Sequence, residues 1–515
     1  MVQSGWLATA SLLAQANRLP EEWVQGSNSL QQRLAADPLR PQFHLLPPAN
    51  WMNDPNGPIY WKGYYHLFYQ YNPNGAYWGD MHWGHARSKD MLHWKHLPVA
   101  LAPTPGGPDK DGCFSGSAFI NNGIPTLVYT GVNPEVQCLA TSDDQLIDWR
   151  KSDQNPVVAS PPPGMQVNAF RDPSVWRESD SWLMSVGTGF KGQGGAVLIY
   201  SSQDLTKWDY RSILFAGPPF KTPVERNDAA QAQPGNYDSV AAGETWECPD
   251  FFPLGEKRCL LVSTQGRVHY FIGTYADQKF QSESSGLADG SDLYYAAKSF
   301  VDRQGRRILW GWIREGRNDA AQRAAGWAGV MSLPRVLSMD SQGTLCTEPL
   351  PELAALRGKH HRIAAAELSG YLPVSECKGD SLEIRVEVDT GDAREAGITV
   401  RRSPDAAEET TIAYDGASRN VVLDTGRSSL NPEAIRSIDK SPLELRSGEL
   451  LRLTVFVDAS VVEIFANGRA CLTGRIYPTR HDSQEIGLFS KGGRAKLKAM
   501  EVFEIRAISR NRLTA

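Results

Sequence analysis

At 515 residues, 41% hydrophobic and 22% charged, the chain has the composition of a soluble globular protein and is too long for one ordinary core, so two or more domains are expected. A net charge of −5 without basic blocks argues against nucleic acid or anionic membrane as a partner. No apolar stretch approaches the length that spans a bilayer. The 46 Gly and 33 Pro point to many turns and hence to a β-rich fold.

Residues 1–40 read as an N-terminal extension, expected to be helical. Its segment 5–16 is mildly apolar and ends in Ala14-Gln15-Ala16, like a cleavage site. No Lys or Arg precedes Arg18, however, and Thr9 and Ser11 interrupt the run. A short helix is the expectation rather than an export signal, and the compartment is left open. Cys113, Cys138, Cys248, Cys259, Cys346, Cys377 and Cys471 are scattered, odd in number and without a CxxC pair. That argues against a disulfide framework or a zinc site.

The first motif is Trp51-Met52-Asn53-Asp54-Pro55-Asn56-Gly57, just before the strand-like run Gly57–Tyr71. Proline restrains the residue before it to extended geometry, which holds the Asp54 carboxylate at a strand mouth. Taken alone, the motif reads as an Asx-turn closing a loop, and two further acidic motifs change that reading.

A repeat follows. Ser88-Lys89-Asp90-Met91-Leu92-His93-Trp94 recurs as Ser202-Gln203-Asp204-Leu205-Thr206-Lys207-Trp208, with a one-residue-longer variant from Ser142 to Trp149. In phase with these come aromatic-bearing apolar runs at Tyr64–Tyr71, Pro125–Thr130, Ser181–Val186, Arg258–Thr264 and Arg307–Ile313. Five such units between residues 41 and 348 predict a five-bladed β-propeller. Within it, Gly187-Thr188-Gly189-Phe190-Lys191-Gly192 mimics a phosphate loop but precedes another strand, Ala196–Ser201, so no phosphate site is expected. His82, His85, His93 and His96 lie in strand and turn segments without a helical face, and no metal site is expected there. The Ala/Gln/Asn-rich stretch Lys221–Thr245 reads either as a loop at the entrance or as a tolerated insertion.

Beyond Trp327 tryptophan is absent. Residues 349–364 read as a helical linker, and evenly spaced alternating runs over 365–515 predict a β-sandwich. These runs are Ser381–Asp389, Gly397–Arg401, Thr411–Tyr414, Val421–Asp424, Leu451–Asp458, Val461–Phe465, Glu485–Ser490 and Leu497–Arg506. The sandwich is expected to support the propeller through an apolar interface. Carbohydrate binding and homodimer formation are further roles between which the sequence does not choose.

The first strand of each propeller blade lines the central channel. Asp54 (blade I), Asp172 in Phe170-Arg171-Asp172-Pro173 (blade III) and Glu247 in Trp246-Glu247-Cys248-Pro249 (blade IV) therefore fall at equivalent mouths. Paired carboxylates flanking a bond are what glycoside hydrolysis requires. Asp54 suits the nucleophile and Glu247 the acid/base, with Trp246 expected to desolvate it. Asp172 is expected to be kept ionised by Arg171. Trp51, Trp78 and Trp246 are expected as pocket walls.

These residues resemble the motifs of glycoside hydrolase family 32, the invertases, inulinases and related β-fructosidases. Trp51–Gly57 is similar to the family's nucleophile motif, Arg171-Asp172-Pro173 to its transition-state-stabiliser motif and Glu247-Cys248-Pro249 to its acid/base motif. Phe68-Tyr69-Gln70, Trp78-Gly79, Phe114-Ser115-Gly116-Ser117 and Val457–Phe465 match further. One departure is Cys113-Phe114-Ser115, where plant members usually carry Trp before Ser. The resemblance implies a five-bladed propeller followed by a β-sandwich, and Trp51, Asn53, Gln70, Trp78, Phe114, Ser115 and Arg171 as the groups that hold a terminal fructosyl unit. It also implies a retaining exo-acting β-fructofuranosidase that takes a small sugar, sucrose by default, and needs no cofactor or metal. Fructosyl transfer and exohydrolysis of inulin or levan are the alternatives within that chemistry. An inverting arabinan-type furanosidase and a non-catalytic sugar-binding propeller lie outside it.

Overall fold

The Ser-x-Asp…Trp segments are one turn built three times. Asp90 Oδ1 accepts the backbone N–H groups of Leu92 and His93 at 3.0 and 2.9 Å, and Asp204 Oδ1 accepts those of Thr206 and Lys207 at 2.8 and 2.9 Å. The indoles of Trp94, Trp149 and Trp208 close the turns on the carbonyls of Met91, Leu146 and Leu205 at 3.1, 3.2 and 2.9 Å. Each turn leads from the third to the fourth strand of a blade. The computed structural model describes residues 28–143, 145–218 and 238–509. The expectations for residues 1–27, and for Lys221–Thr245 as far as residue 237, lie outside the described residues.

Five antiparallel sheets form the propeller. Blade I comprises Asn50–Trp61, Tyr64–Asn72, His82–Ser88 and Trp94–Leu101; blade II comprises Cys113–Asn121, Ile124–Gly131, Val136–Ser142 and Trp149–Lys151. Blade III runs through Phe170–Glu178, Ser181–Phe190, Gly194–Ser202 and Asp209–Ala216. Blade IV runs through Glu247–Leu254, Lys257–Thr264, Arg267–Ala276 and Lys279–Leu287. Blade V holds Tyr294–Val301, Arg307–Ile313, Arg335–Met339 and Leu345–Pro349. Trp327–Ala328, on an excursion within blade V, pairs parallel with Asn50–Trp51 and closes the ring on blade I. The phosphate-loop mimic lies in the strand Ser181–Phe190 and the turn after it, as expected for a β-hairpin.

Every inner strand carries a bulge near its start. In blade I, Met52 and Pro55 pair with Tyr71 and Tyr69, so that Asn53 and Asp54 together oppose one residue. The same surplus residue occurs between Phe114 and Gly116, Arg171 and Ser174, Glu247 and Asp250, and Tyr295 and Lys298. A bulge bends its strand and re-aims the side chains on it. The motif around Asp54 thus sits inside a strand that begins at Asn50, not ahead of one.

The second domain is a sandwich whose two layers share one long strand. Glu485–Ile505, expected as two strands, is continuous. Its first half pairs with Glu395–Arg402 and its second with Ser381–Asp389. The pairing changes across Gly492 and Gly493, at φ 65° and 150°. The strands Ala366–Lys378, Ile438–Pro442 and Ala470–Arg475 complete the layers. The segment read as a helical linker is a 3-10 helix at Pro351–Leu356 followed by a strand, Arg357–Ile363, that pairs with the long one.

The interface between the domains is not simply apolar. Phe456, Phe465 and Cys471 do pack against Phe43, Leu45 and Trp310. Beside them lies a fully buried ionic chain. Arg335 reaches Asp289 at 2.9 Å and Glu463 at 2.6 Å, and His44 reaches Asp458 at 2.7 Å and Glu463 at 3.0 Å. Asp458 also accepts the backbone N–H groups of Gln42, Phe43 and His44, which ties the strand of the sandwich to the entry of the propeller.

Candidate active site

The bulges bring three carboxylates to one mouth. Asp54 Oδ2 accepts the Ser115 hydroxyl at 2.6 Å, and Oδ1 the Asn53 amide at 3.0 Å. The Asn53 side chain is itself fixed by the Trp51 indole N–H at 2.7 Å. Asp172 sits at φ 63°, in the left-handed region, with its backbone N–H donated to Thr130 Oγ1 at 2.9 Å. Its carboxylate accepts the Cys248 backbone N–H at 2.8 Å. The Cys248 thiol lies 3.5 Å from both Asp54 Oδ2 and Asp172 Oδ2. Burial, with Asp172 and Asp54 beside it, holds that thiol well above its usual range, so it stays a neutral donor between the two acids.

Glu247 is held by two donors. Its Oε1 accepts from Arg171 Nη2 at 3.0 Å and its Oε2 from the Tyr295 hydroxyl at 2.5 Å. Arg171 turns its other nitrogen to Glu135 Oε1 at 2.6 Å. Burial opposes the charge on Arg171, but Glu135, Glu247 and Asp172 outweigh it and keep the guanidinium protonated.

Two expectations are corrected here. Burial pushes Asp172 up to about 7; Arg171 lowers it, but the charges of Glu247 and Asp54 add to the rise. Arg171 acts on Asp172 in the expected direction, but burial outweighs its charge and Asp172 is not held in the ordinary carboxylate range. Trp246 is not a pocket wall: it is fully buried between Phe215 and Phe271, in the seam between blades III and IV.

Burial raises Asp54 as well, with Ser115 and Asn53 pulling against it and Glu247 adding to the rise. Around the acids, Trp51 is buried edge-on to Trp312. Gln70 is buried, and its amide donates to the Cys113 carbonyl at 2.9 Å, stitching blade I to blade II behind the mouth. Phe114 is half-buried and meets Trp78 edge-on at 6.0 Å; Trp78 is 41% exposed and forms the rim. Glu135, Thr130 and Tyr295 were not singled out from the sequence. Tyr295 occupies in blade V the place that Glu247 holds in blade IV, so the strand-start rule finds it once that blade is included.

The four histidines do not converge. His85 stacks on Phe68 at 4.1 Å and bonds His66, His96 bonds Tyr69, and His93 bonds Asp90. Among the described residues, His361, Cys377 and Glu504 place ligand atoms within 4.8 Å of one another, on the sandwich and away from the mouth.

Residues 44–349 match the model of the glycosyl hydrolases family 32 N-terminal domain, and residues 352–504 that of the family's C-terminal domain. The chain belongs to glycoside hydrolase family 32. Within family 32 it is 36% identical over 488 residues to a sucrose-6-phosphate hydrolase of Escherichia coli, covering 89% of this chain and 93% of that one. It is 34% identical over 528 residues to beta-fructofuranosidase 1 of Zea mays, covering 90% and 78%. The crystal structure of fructan 1-exohydrolase IIa from Cichorium intybus superposes with a TM-score of 0.81 at 27% identity, covering 92% of this chain and 98% of that one. The propeller and sandwich are thus those of family 32.

Proposed function

We propose that the chain is a retaining, exo-acting β-fructofuranosidase that takes sucrose, with Asp54 as nucleophile, Glu247 as acid/base and Asp172 as the group that steadies the fructosyl ring. The observation that carries this reading is the convergence of three acids from blades I, III and IV, with Asp54 and Glu247 in separate hydrogen-bond settings. Asp54 is fixed by Ser115 and Asn53 with its carboxylate toward the mouth, as a nucleophile must be. Glu247, entering protonated, gives its proton to the leaving oxygen as Asp54 bonds to the anomeric C2 and the C2–O bond breaks. Glu247 then takes a proton from water, the water oxygen bonds to C2, and Asp54 leaves as a carboxylate with fructose released. Asn53, Arg171, Phe114 and Trp78 border the space that the sugar fills, and Gln70 holds the wall behind it.

Product analysis on purified protein with concentrated sucrose tests the reading. Equal glucose and fructose are expected. Glucose in excess over free fructose, with longer sugars, makes the protein a fructosyltransferase using the same acids. No glucose from sucrose rejects that substrate, and sucrose 6-phosphate, the substrate in the name of the Escherichia coli relative, is the next to try, then inulin and levan.

A further inference from the structure

The five inner strands continue past the acids, and their far halves border a second space. This cavity, of about 510 Å³, lies among Gly57–Tyr60 and the corresponding stretches of the other four inner strands. Gly57 and Tyr60 are three and six residues beyond Asp54, which is roughly 10–20 Å along the channel. None of the groups assigned above to the fructosyl site lines it.

Its charge is one-sided. Arg177, Arg258, Lys298 and Arg307 line it against the single lining carboxylate of Asp250. Asp250 accepts the Ser299 backbone N–H at 2.8 Å, and Lys298 donates to the Pro249 carbonyl at 2.8 Å. Glu178, at the rim, stands 3.9 Å from Arg258. Arg307 lies flat over Phe252, 4.6 Å from the ring centroid, and its Nε is buried without a hydrogen-bond partner. Burial pushes Arg307 below the usual guanidinium range, with Asp250 working against the shift. The remaining walls are rich in aromatic rings, among them Tyr60, Phe119, Trp176, Phe251 and Phe300.

A surplus of guanidinium groups beside aromatic walls is the arrangement that takes an oxyanion with an apolar body, because the arginine fork matches phosphate oxygens and the rings cover what the phosphate carries. We propose that this distal cavity binds a small organic phosphate, its charge held by Arg307 and Arg258 and its body lodged against Phe251, Phe252 and Phe300. An occupant there bridges the same strands that carry Asp54, Asp172 and Glu247, so binding steadies the propeller from the end opposite the chemistry.

Calorimetric titration of the full chain with inorganic phosphate and with phenyl phosphate, in chloride at constant ionic strength and with saturating fructose, tests this. Saturable binding that fructose does not displace is expected, tighter for phenyl phosphate than for inorganic phosphate. Arg307→Gln and Arg258→Gln should each weaken it by about tenfold or more, the loss of one charge-assisted hydrogen bond. Phenyl phosphate should raise the melting temperature of the wild type and raise it less in the variants. Arg258 is at the partly exposed rim, so its variant remains informative where the Arg307 variant folds poorly, and sucrose turnover checks that each variant is folded. Absence of saturable binding, displacement by fructose, or equal affinity in wild type and the Arg258 variant overturns the proposal.

Discussion

Tyr295 donates its hydroxyl to Glu247 Oε2 at 2.5 Å, on the side away from Arg171, which holds Oε1 at 3.0 Å. Both oxygens of the proposed acid therefore face a donor. A phenol can reverse and accept a hydrogen bond, whereas a guanidinium cannot. The Oε2 side is thus the one on which Glu247 can carry a proton without losing a partner. Tyr295→Phe is expected to lower kcat on sucrose by about tenfold, the worth of one hydrogen bond to a charged group, with KM changed far less. A variant with unaltered kcat removes Tyr295 from the reaction.

The two proposed reacting acids should separate by leaving group. Glu247→Gln is expected to lower kcat on sucrose by a factor of about 10²–10⁴, the usual share of general acid catalysis. On an aryl β-fructoside, whose phenolate departs without a proton, the first step should be nearly spared. Asp54→Asn should abolish turnover of both substrates, since each needs the bond to C2. Both variants should remain folded, each showing a cooperative thermal melt. Comparable losses on the two substrates in Glu247→Gln contradict its role as acid.

Ser115 bears on pH. Its hydroxyl favours the ionised form of Asp54, whose pKa burial raises above the ordinary 3.8. The acid limb of kcat/KM is expected above the normal Asp range, and Ser115→Ala should move it further towards alkaline pH. Activity lost in that variant should then be greater at pH 5 than at pH 8. A uniform loss across the profile points instead to a contact with the sugar.

Asp172 makes a stability prediction. Unfolded, it ionises near 3.8; folded, at about 7. Between those values the folded chain binds a proton that the unfolded chain has lost. The stability contributed by this group is thus fully present below pH 3.8 and is lost as pH rises through 7. Asp172→Asn keeps the neutral shape, so denaturant melts should show it more stable than wild type at pH 8, by up to about 4 kcal/mol, and equal to it near pH 4. No gain at pH 8 refutes the raised value.

His44 acts in the same direction from the domain interface. Burial opposes its charge, but hydrogen bonds to Asp458 and Glu463 outweigh it and bring it to about 9, above the ordinary 6.5. Its contribution is complete below pH 6.5 and is lost as pH rises through 9. His44→Asn should therefore be destabilising, and more so at pH 6 than at pH 9.5, by about 3 kcal/mol. Equal losses at the two pH values mean that the imidazole is neutral.

The propeller was legible because its turns use chemistry that repeats: Asp90 and Asp204 each cap a turn that a Trp then covers. The acids were legible because an acid stands one or two residues ahead of Pro55, Pro173 and Pro249, and the same pattern at three strand starts is more than one turn explains. Glu135 carries no such mark. It lies in a turn between two strands of blade II and reaches Arg171 only because blades II and III stand side by side. The ionisation expected of Asp172 went astray for a different reason: Arg171 does pull it down, but the depth of burial that outweighs that pull is a property of the assembled blades. The ionic chain at the interface was equally hidden, because His44, Asp289, Arg335, Asp458 and Glu463 are single residues scattered over more than 400 positions of sequence.

The surplus residue in each inner strand separates two kinds of inheritance. On either side of Asp54, Ser115 and Asp172 the ladder resumes its pairing, so the blade's register does not depend on which side chain stands at the bulge. Descendants of such a chain are free to retune the reacting groups while the barrel-like wall around them passes on unchanged. A deletion of the surplus residue closes the ladder into regular pairing and removes the bend that aims the reacting group, so activity is lost while the blade keeps its register.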